Sequence, residues 1–139
     1  MQPHSIILWA EPKKEIFEIL SMKCYNILKV LKNFGNDLNP KYILDFETKQ
    51  FKEYKFNKIE IKQILNENIN KEENKIFSDL GYRLHFISHL NTNNTTGISM
   101  TIGASFEKIT NTLVIGIRQD FSLYNNYNIN LKLIKLFKD

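Results

Sequence analysis

The first third of the chain carries an apolar stripe with the period of an α-helix. Apolar residues recur at spacings of three and four between Lys13 and Phe34, at Ile16, Leu20, Cys24, Ile27, Leu31 and Phe34. Such spacing gathers side chains on one side of a helix. Pro12 is suited to a first helical position, where its missing N–H costs nothing, and Gly35 is suited to ending the helix. The pattern predicts a long amphipathic helix over residues 13–34, after a short apolar strand over Ser5–Trp9.

A second pattern, alternation of apolar and polar residues, covers Gly81 to Ile117. The apolar positions are Tyr82, Leu84, Phe86 and Leu90, then Ile98, Met100 and Ile102, then Leu113, Ile115 and Ile117. Alternation with a period of two is typical of strands with one buried face. Turn-rich loops separate the three runs, so the segment predicts a meander of three strands. Helices first and a meander afterwards is the order of an α+β domain.

The remaining segments are less regular. Asn57 with Glu60, and Asn70 with Glu73, have the spacing of a helix N-cap and its partner, and they predict two further helices, the second closed by Gly81. Residues 42–56 are consistent with a strand or with irregular packing. Residues 125–139 suit either a helix or a strand, and we favour the helix.

Together these elements predict one α+β domain over residues 1–139. We expect an antiparallel sheet of about four strands, with the long N-terminal helix and shorter helices packed mainly on one face. A chain of 139 residues that is 42% hydrophobic is long enough for a single core. No apolar run approaches the roughly 20 residues needed to cross a bilayer, and Ile6–Trp9 is too short for a signal peptide. A single cysteine excludes an internal disulfide, and these features together favour the cytoplasm.

The charge of the chain invites a nucleic-acid interpretation. The net charge is +4, and the excess lies in the last third, where six basic residues face three acidic ones. Binding along a phosphate backbone requires basic residues that cluster on one face, whereas these are dispersed through the sequence. The abundance of Lys, Asn and Ile is also what an AT-rich genome produces. A nucleic-acid-associated accessory protein is therefore an alternative, and not the favoured one.

Few residues in the sequence suggest catalysis. His85 and His89 resemble half of a zinc-protease motif, but Phe86 replaces its glutamate, and residues four apart on a strand lie about 13 Å from each other. Cys24 lies within an apolar stripe, so we expect a buried small side chain. Gly103 and Gly116 belong to no phosphate-binding motif and indicate bulges or close approach of backbones. We predict no cofactor and no metal.

Two features of the sequence are compatible with a catalytic or binding site. Asp45 and Glu47 would share a face if the chain is extended there, which makes a small carboxylate-dependent enzyme a second alternative. Trp9, the only tryptophan, either packs the first helix onto the sheet or anchors a contact with another protein. We favour the packing role.

Two blocks of sequence carry a resemblance to a known family. The first is ILWAEPKKEIFEILSMKCYNILKVL, with Trp9 before the long helix and Glu15 near its start. The second is GYRLHFISHL followed by GISMTIGASFEKITNTLVIGI, with the pair Ile102–Gly103 and the strand led by Asn111. Their order and spacing resemble immunity protein family 52 of bacterial polymorphic toxin systems. Pro12 stands where a basic residue is expected, and family members continue beyond the position of Asp139.

The resemblance implies a cytoplasmic protein that is not an enzyme. It would bind a cognate toxin, in some cases one that resembles a nuclease, and block its active site or substrate groove. Acidic surface favours association with a nucleic-acid-binding toxin. We expect such surface around Glu11, Glu15 and Glu18, or around Asp45, Glu47 and Glu53. The candidate toxin-binding residues are Trp9, Glu11, Glu15, Asp45 and Glu47, and the sequence does not define the oligomeric state.

Overall fold

The computed structural model describes residues 4–36, 38–72, 75–76, 78–92, 95–117 and 127–138. In chain order the elements are β1 (His4–Ala10), α1 (Phe17–Phe34), β2 (Tyr42–Asp45), β3 (Gln50–Glu53), α2 (Lys58–Glu67), β4 (Lys71–Glu72), β5 (Lys75–Ile76), β6 (Tyr82–Ile87), β7 (Gly97–Ile102), β8 (Asn111–Ile117) and α3 (Tyr127–Lys138). A 3₁₀ turn over Ser78–Leu80 precedes β6. None of the described helices combines the length and apolarity needed to cross a membrane.

The main sheet has six antiparallel strands in the order β1-β8-β7-β6-β2-β3, while β4 and β5 form a separate pair. The predicted α+β class and the β6–β7–β8 meander are confirmed. The predicted count of about four strands is too low, because the segment that was ambiguous in the sequence folds into the β2–β3 hairpin. That hairpin extends the meander on one side, and β1 extends it on the other.

The core lies on one face of this sheet. Directly paired residues Leu84, Met100 and Leu113 are buried, and Leu8 of β1 continues the same row at the sheet edge. A parallel row consists of Phe86, Ile98, Ile115 and Ile6. Buried residues of all three helices belong to the same cluster. α1 is the central helix, since it packs against both α2 and α3.

The first helix begins later than its stripe predicts. α1 begins at Phe17 and not at Lys13, because Ile16 is extended with ψ 138° and precedes the first turn. The Lys13 N–H donates instead to the Ala104 carbonyl at 3.0 Å, which ties residues 11–15 to the loop between β7 and β8. The predicted end, at Phe34 before Gly35, is confirmed.

Of the two helices predicted from an asparagine cap, one forms. Asn57 Oδ1 accepts a hydrogen bond from the Glu60 N–H at 2.8 Å and begins α2. The helix predicted after Asn70 is wrong, because the Asn70 side chain donates to the Leu80 carbonyl at 2.8 Å and closes a loop. Glu73, its expected partner, lies outside the described residues. The favoured tail helix is confirmed by α3, which buries Leu133 and Phe137.

Candidate interaction surface

Trp9 lies on the outer side of an edge strand. Along β1, Ile6 and Leu8 pack against the core, whereas Ile7 and Trp9 point away from it and are 53% and 62% exposed. The prediction that Trp9 packs the first helix onto the sheet is therefore wrong. The run Ile-Ile-Leu-Trp is apolar at every position, so the sequence contains no alternation from which the buried side could be read.

The face of the sheet that carries Trp9 is opposite the helices, and we call it the open face. The strand register defines its side chains in two rows, which are Trp9–Thr112–Thr101–Arg83 and Ile7–Val114–Ser99–His85. Thr112, Val114, Ser99 and Thr101 in the central strands are half-buried, as expected of side chains flanked by neighbours on an uncovered sheet. With strands about 4.8 Å apart, the first row places Trp9 roughly 14 Å from Arg83.

A cleft of about 480 Å³ lies beside Trp9, where the end of β1 meets the helices. Its lining includes Trp9, Glu11, Glu15, Lys23, Asn111 and Phe137. The Asn111 amide fixes its floor: Oδ1 accepts from the Ala104 N–H at 2.9 Å, and Nδ2 donates to the carbonyls of Ala104 and Glu11 at 3.1 and 3.2 Å. One buried side chain therefore joins the end of β1, the β7–β8 loop and the start of β8.

The structure brings Trp9, Glu11 and Glu15 together, but it does not leave all the nearby acids available. Glu15 forms an ion pair with Lys23 at 2.7 Å, and the two side chains are only 7% and 13% exposed. Glu18 pairs with Lys62 of α2 at 2.7 Å. Glu11 is exposed and has no ion-pair partner among the residues that the structure describes. This cleft is therefore less acidic than its sequence indicates.

A second and larger cleft, of about 760 Å³, lies between the β2–β3 hairpin and α2 with the segment that follows it. We call it the acidic cleft, because five acidic residues and only two basic ones line it. The acids are Asp45, Glu47, Glu53, Glu60 and Glu67, and the bases are Lys52 and Arg83. Arg83 also belongs to the open face, where its guanidinium lies 5.4 Å from the centre of the Phe46 ring. The acidic cleft and the open face are thus continuous.

Asp45 and Glu47 line this cleft without sharing a face. Asp45 ends β2, and its Oδ1 accepts hydrogen bonds from the backbone N–H groups of Glu47 at 2.9 Å and Thr48 at 3.3 Å. The condition for a shared face, an extended chain, is not met, because the chain turns directly after Asp45. Asp45 stabilises this turn, and Glu47 is exposed within it. Both residues lie at the β2–β3 side of the sheet, whereas Trp9 lies on β1 at the opposite edge.

The two histidines and the cysteine considered as candidate catalytic residues make contacts within the fold. The His85 ring lies 2.6 Å from Ser99 Oγ through Nδ1, and burial, with a smaller effect of Arg83, lowers the pKa of His85. His89 contacts Ser88 Oγ at 2.9 Å. Cys24 is fully buried, and burial raises the pKa of its thiol to about 12. Within the described part of the chain, no three His, Cys, Asp or Glu side chains are placed to hold a metal ion.

Sequence reasoning missed Glu60, Glu67 and Arg83 as members of a surface. Glu60 and Glu67 are seven residues apart, which is close to two turns of α2, so their periodicity was available as a signal. Their proximity to the β2–β3 turn could not be predicted from the sequence, because it depends on how α2 packs beside the hairpin.

Comparison with known proteins gives no relative. No protein family, curated protein or solved structure matches this chain. The resemblance to immunity protein family 52 stays a prediction that rests on the two sequence blocks.

Proposed function

We propose that this protein binds a cognate bacterial toxin and neutralises it by covering the toxin's active site or substrate groove. The observation that carries the proposal is the acidic cleft, which is lined by five acidic residues on a chain whose net charge is +4. A local field opposite in sign to the whole molecule is suited to a partner with a basic groove, as a nucleic-acid-cleaving toxin has.

The open face supplies the second requirement of a tight interface. Complexes concentrate their binding energy in a few large side chains that become buried, and tryptophan is prominent among them. Trp9 is 62% exposed at one end of the open face, and the acidic cleft begins at Arg83 at the other end. A specific interface buries about 800 Å² on each partner, an area that a surface of this span can provide.

The mechanism requires no chemistry from this protein. Carboxylates in the acidic cleft attract the basic groove of the toxin and raise the association rate. Apolar burial of Trp9 and Ile7 then slows dissociation, so that the toxin's substrate is excluded while the complex persists. In this mechanism Asp45 shapes the turn that presents Glu47, and Glu47, Glu53 and Glu67 carry the exposed charge.

The test is co-expression with the product of the neighbouring gene, followed by affinity measurement with the purified pair. We expect the wild-type chain to restore growth. The double variant Glu53→Lys/Glu67→Lys should slow association at least about tenfold, with an effect that diminishes as salt is raised. Trp9→Ala should increase the dissociation rate by a similar factor.

Matched controls separate these effects from general damage. Glu107→Lys reverses an exposed charge in the β7–β8 loop, and Ile59→Ala truncates an 81% exposed side chain at the start of α2. Neither variant should change binding. Unaltered affinity in all the cleft and Trp9 variants, in a pair that does bind, would refute the proposed surface. Absence of binding by the wild-type chain would refute the proposed partner.

A further inference from the structure

The two edges of the six-stranded sheet differ in how they are protected. β3 is four residues long, Gln-Phe-Lys-Glu, with Lys49 in a left-handed conformation at φ 60° just before it. Charged side chains, short length and irregular backbone are devices that keep an edge from pairing with another chain. β1 is seven residues long, and Ser5–Ala10 contains neither a charge nor a proline. No described strand pairs with its outer edge.

We propose that β1 pairs with β1 of a second copy of this chain, to form a two-fold symmetric dimer with a continuous twelve-stranded sheet. An antiparallel pairing centred on Ile7 uses all seven residues of the strand. It places Ile7 opposite Ile7 of the second copy, and Trp9 opposite Ser5. The register keeps core-facing residues on one side of the extended sheet and open-face residues on the other, as the side-chain period of two demands.

Two observations favour a second copy over another strand. The first is closure. Because β3 is protected, β1 is the one unprotected edge among the strands that the structure describes, and an isologous pairing uses the β1 edges of both copies at once. A dimer therefore forms without further growth into a filament. The pairing supplies about six to eight main-chain hydrogen bonds, and it covers Ile7, which is 53% exposed in the single chain.

The second observation concerns the helix layer above the same edge. α3 is the helix that contacts β1, and it lies on the side of α1 away from α2. Leu131 and Ile134 of α3 do not enter the core and are 47% and 37% exposed. Pairing of β1 brings α3 of one copy beside α3 of the other. β1 and α3 are thus neighbouring elements that both carry exposed apolar residues, as an interface of dimer size requires.

The central residue gives a direct test of the register. Residues opposite each other in an antiparallel pair have Cα atoms about 4.5–5.5 Å apart, which is within disulfide range. Ile7→Cys should therefore cross-link to itself under mild oxidation and give a covalent dimer. Trp9→Cys alone should not, but it should cross-link when mixed with Ser5→Cys. Ile59→Cys, at an exposed isoleucine of α2, is the matched control, and native Cys24 is fully buried.

Self-association is measured independently by sedimentation velocity over about a hundredfold range of concentration. The wild-type chain should shift from monomer to dimer. Ile7→Lys should raise the dimer dissociation constant at least about tenfold, and Ile59→Lys should leave it unchanged. Hydrogen exchange of peptides covering residues 4–10 should slow with wild-type concentration, a readout that needs no variant. This test uses no toxin, so its outcome is separate from that of the proposed function.

Three results would overturn the proposal. They are a wild-type chain that stays monomeric with unprotected β1 amides, equal cross-linking of Ile7→Cys and Ile59→Cys, and assemblies that grow beyond the dimer. Protection of β1 only after a toxin is added would identify that partner as the occupant of the edge, and would equally overturn pairing between copies.

Discussion

Asn111 holds the floor of the Trp9 cleft, and its removal should destabilise the protein strongly. Asn111→Ala deletes three hydrogen bonds, those of Oδ1 with the Ala104 N–H and of Nδ2 with the carbonyls of Ala104 and Glu11. Each is worth about 1 kcal/mol net. The Ala104 carbonyl keeps the Lys13 N–H as a donor, but the Ala104 N–H loses its partner in a residue that is fully buried.

The expected loss follows from these contacts. An orphaned buried donor costs about 1–3 kcal/mol, so we expect Asn111→Ala to lower the free energy of unfolding by about 3–4 kcal/mol. Because small domains are stable by only about 5–15 kcal/mol, this is a large fraction of the total. With a urea dependence of about 2 kcal/mol per molar, the unfolding midpoint should fall by roughly 1.5–2 M.

The assay is urea unfolding followed by far-ultraviolet circular dichroism, with two further variants. Asn66→Ala removes an exposed asparagine from α2 and should change stability by less than about 0.5 kcal/mol. Asn111→Asp keeps an acceptor for the Ala104 N–H but places a carboxylate against two carbonyl oxygens. It should be destabilised at neutral pH and partly recover when acid protonates the new carboxyl. A loss below about 1 kcal/mol for Asn111→Ala would contradict the structural role assigned to this side chain.

Two further predictions concern positions in the core or in contact with it. Gly103 has φ 74°, and an added Cβ would lie 2.6 Å from Leu20 Cδ2, so Gly103→Ala should lower the free energy of unfolding by about 2–3 kcal/mol, as measured by thermal unfolding. Gly116→Ala is the control: its Cβ would have its nearest neighbour at 3.9 Å, so the loss should be less than about 0.5 kcal/mol. Similar losses for the two variants would contradict the prediction. Burial raises the pKa of the Cys24 thiol from 9.0 to about 12, so the folded state holds the thiol proton more tightly than the unfolded state does. The stability that this difference contributes is fully present below pH 9 and is lost as the pH rises from 9 to 12. Over that range wild type should lose stability relative to Cys24→Ala, as followed by urea unfolding at each pH, and parallel curves for the two proteins would contradict the assignment.

Sequence pattern was most informative where one side of an element faces water. The β6–β8 meander could be predicted because Arg83, Ser99 and Thr101 alternate with buried residues. The end of α1 could be predicted because Gly35 directly follows the apolar stripe. In both cases a local residue type records a local environment, so no knowledge of distant segments is needed.

The errors arise where a distant contact decides the local structure. Residues 13–16 have the helical pattern, but a hydrogen bond to Ala104 keeps Lys13 outside α1. Asn70 has the pattern of a helix cap, but its side chain bonds to Leu80 at the far end of a loop. In each case the competing partner is at least ten residues away, and its position is fixed only when the sheet is formed.

The acidic cleft also depends on the packing of segments that are distant in the sequence. Glu53, Glu60 and Glu67 come from β3 and from the two ends of α2, and only the packing of that helix beside the hairpin places them around one cleft. Composition gave a net charge of +4, which describes the whole chain and conceals an acidic region within it. Electrostatic arguments about partners therefore depend on the fold, since attraction acts over about 10 Å and not over the length of a sequence.

The two sides of β1 separate stability from recognition. Ile6 and Leu8 pack against the core, so truncating them would lower the free energy of unfolding. Ile7 and Trp9 alternate with them but bury little within the chain, so the fold gains little from their large apolar side chains. Exposed apolar residues that lie side by side on an uncovered sheet are typical of surfaces that other molecules cover. Substitutions at Ile7 and Trp9 can therefore report on binding with little confusion from unfolding, whereas substitutions at Asn111 report on both.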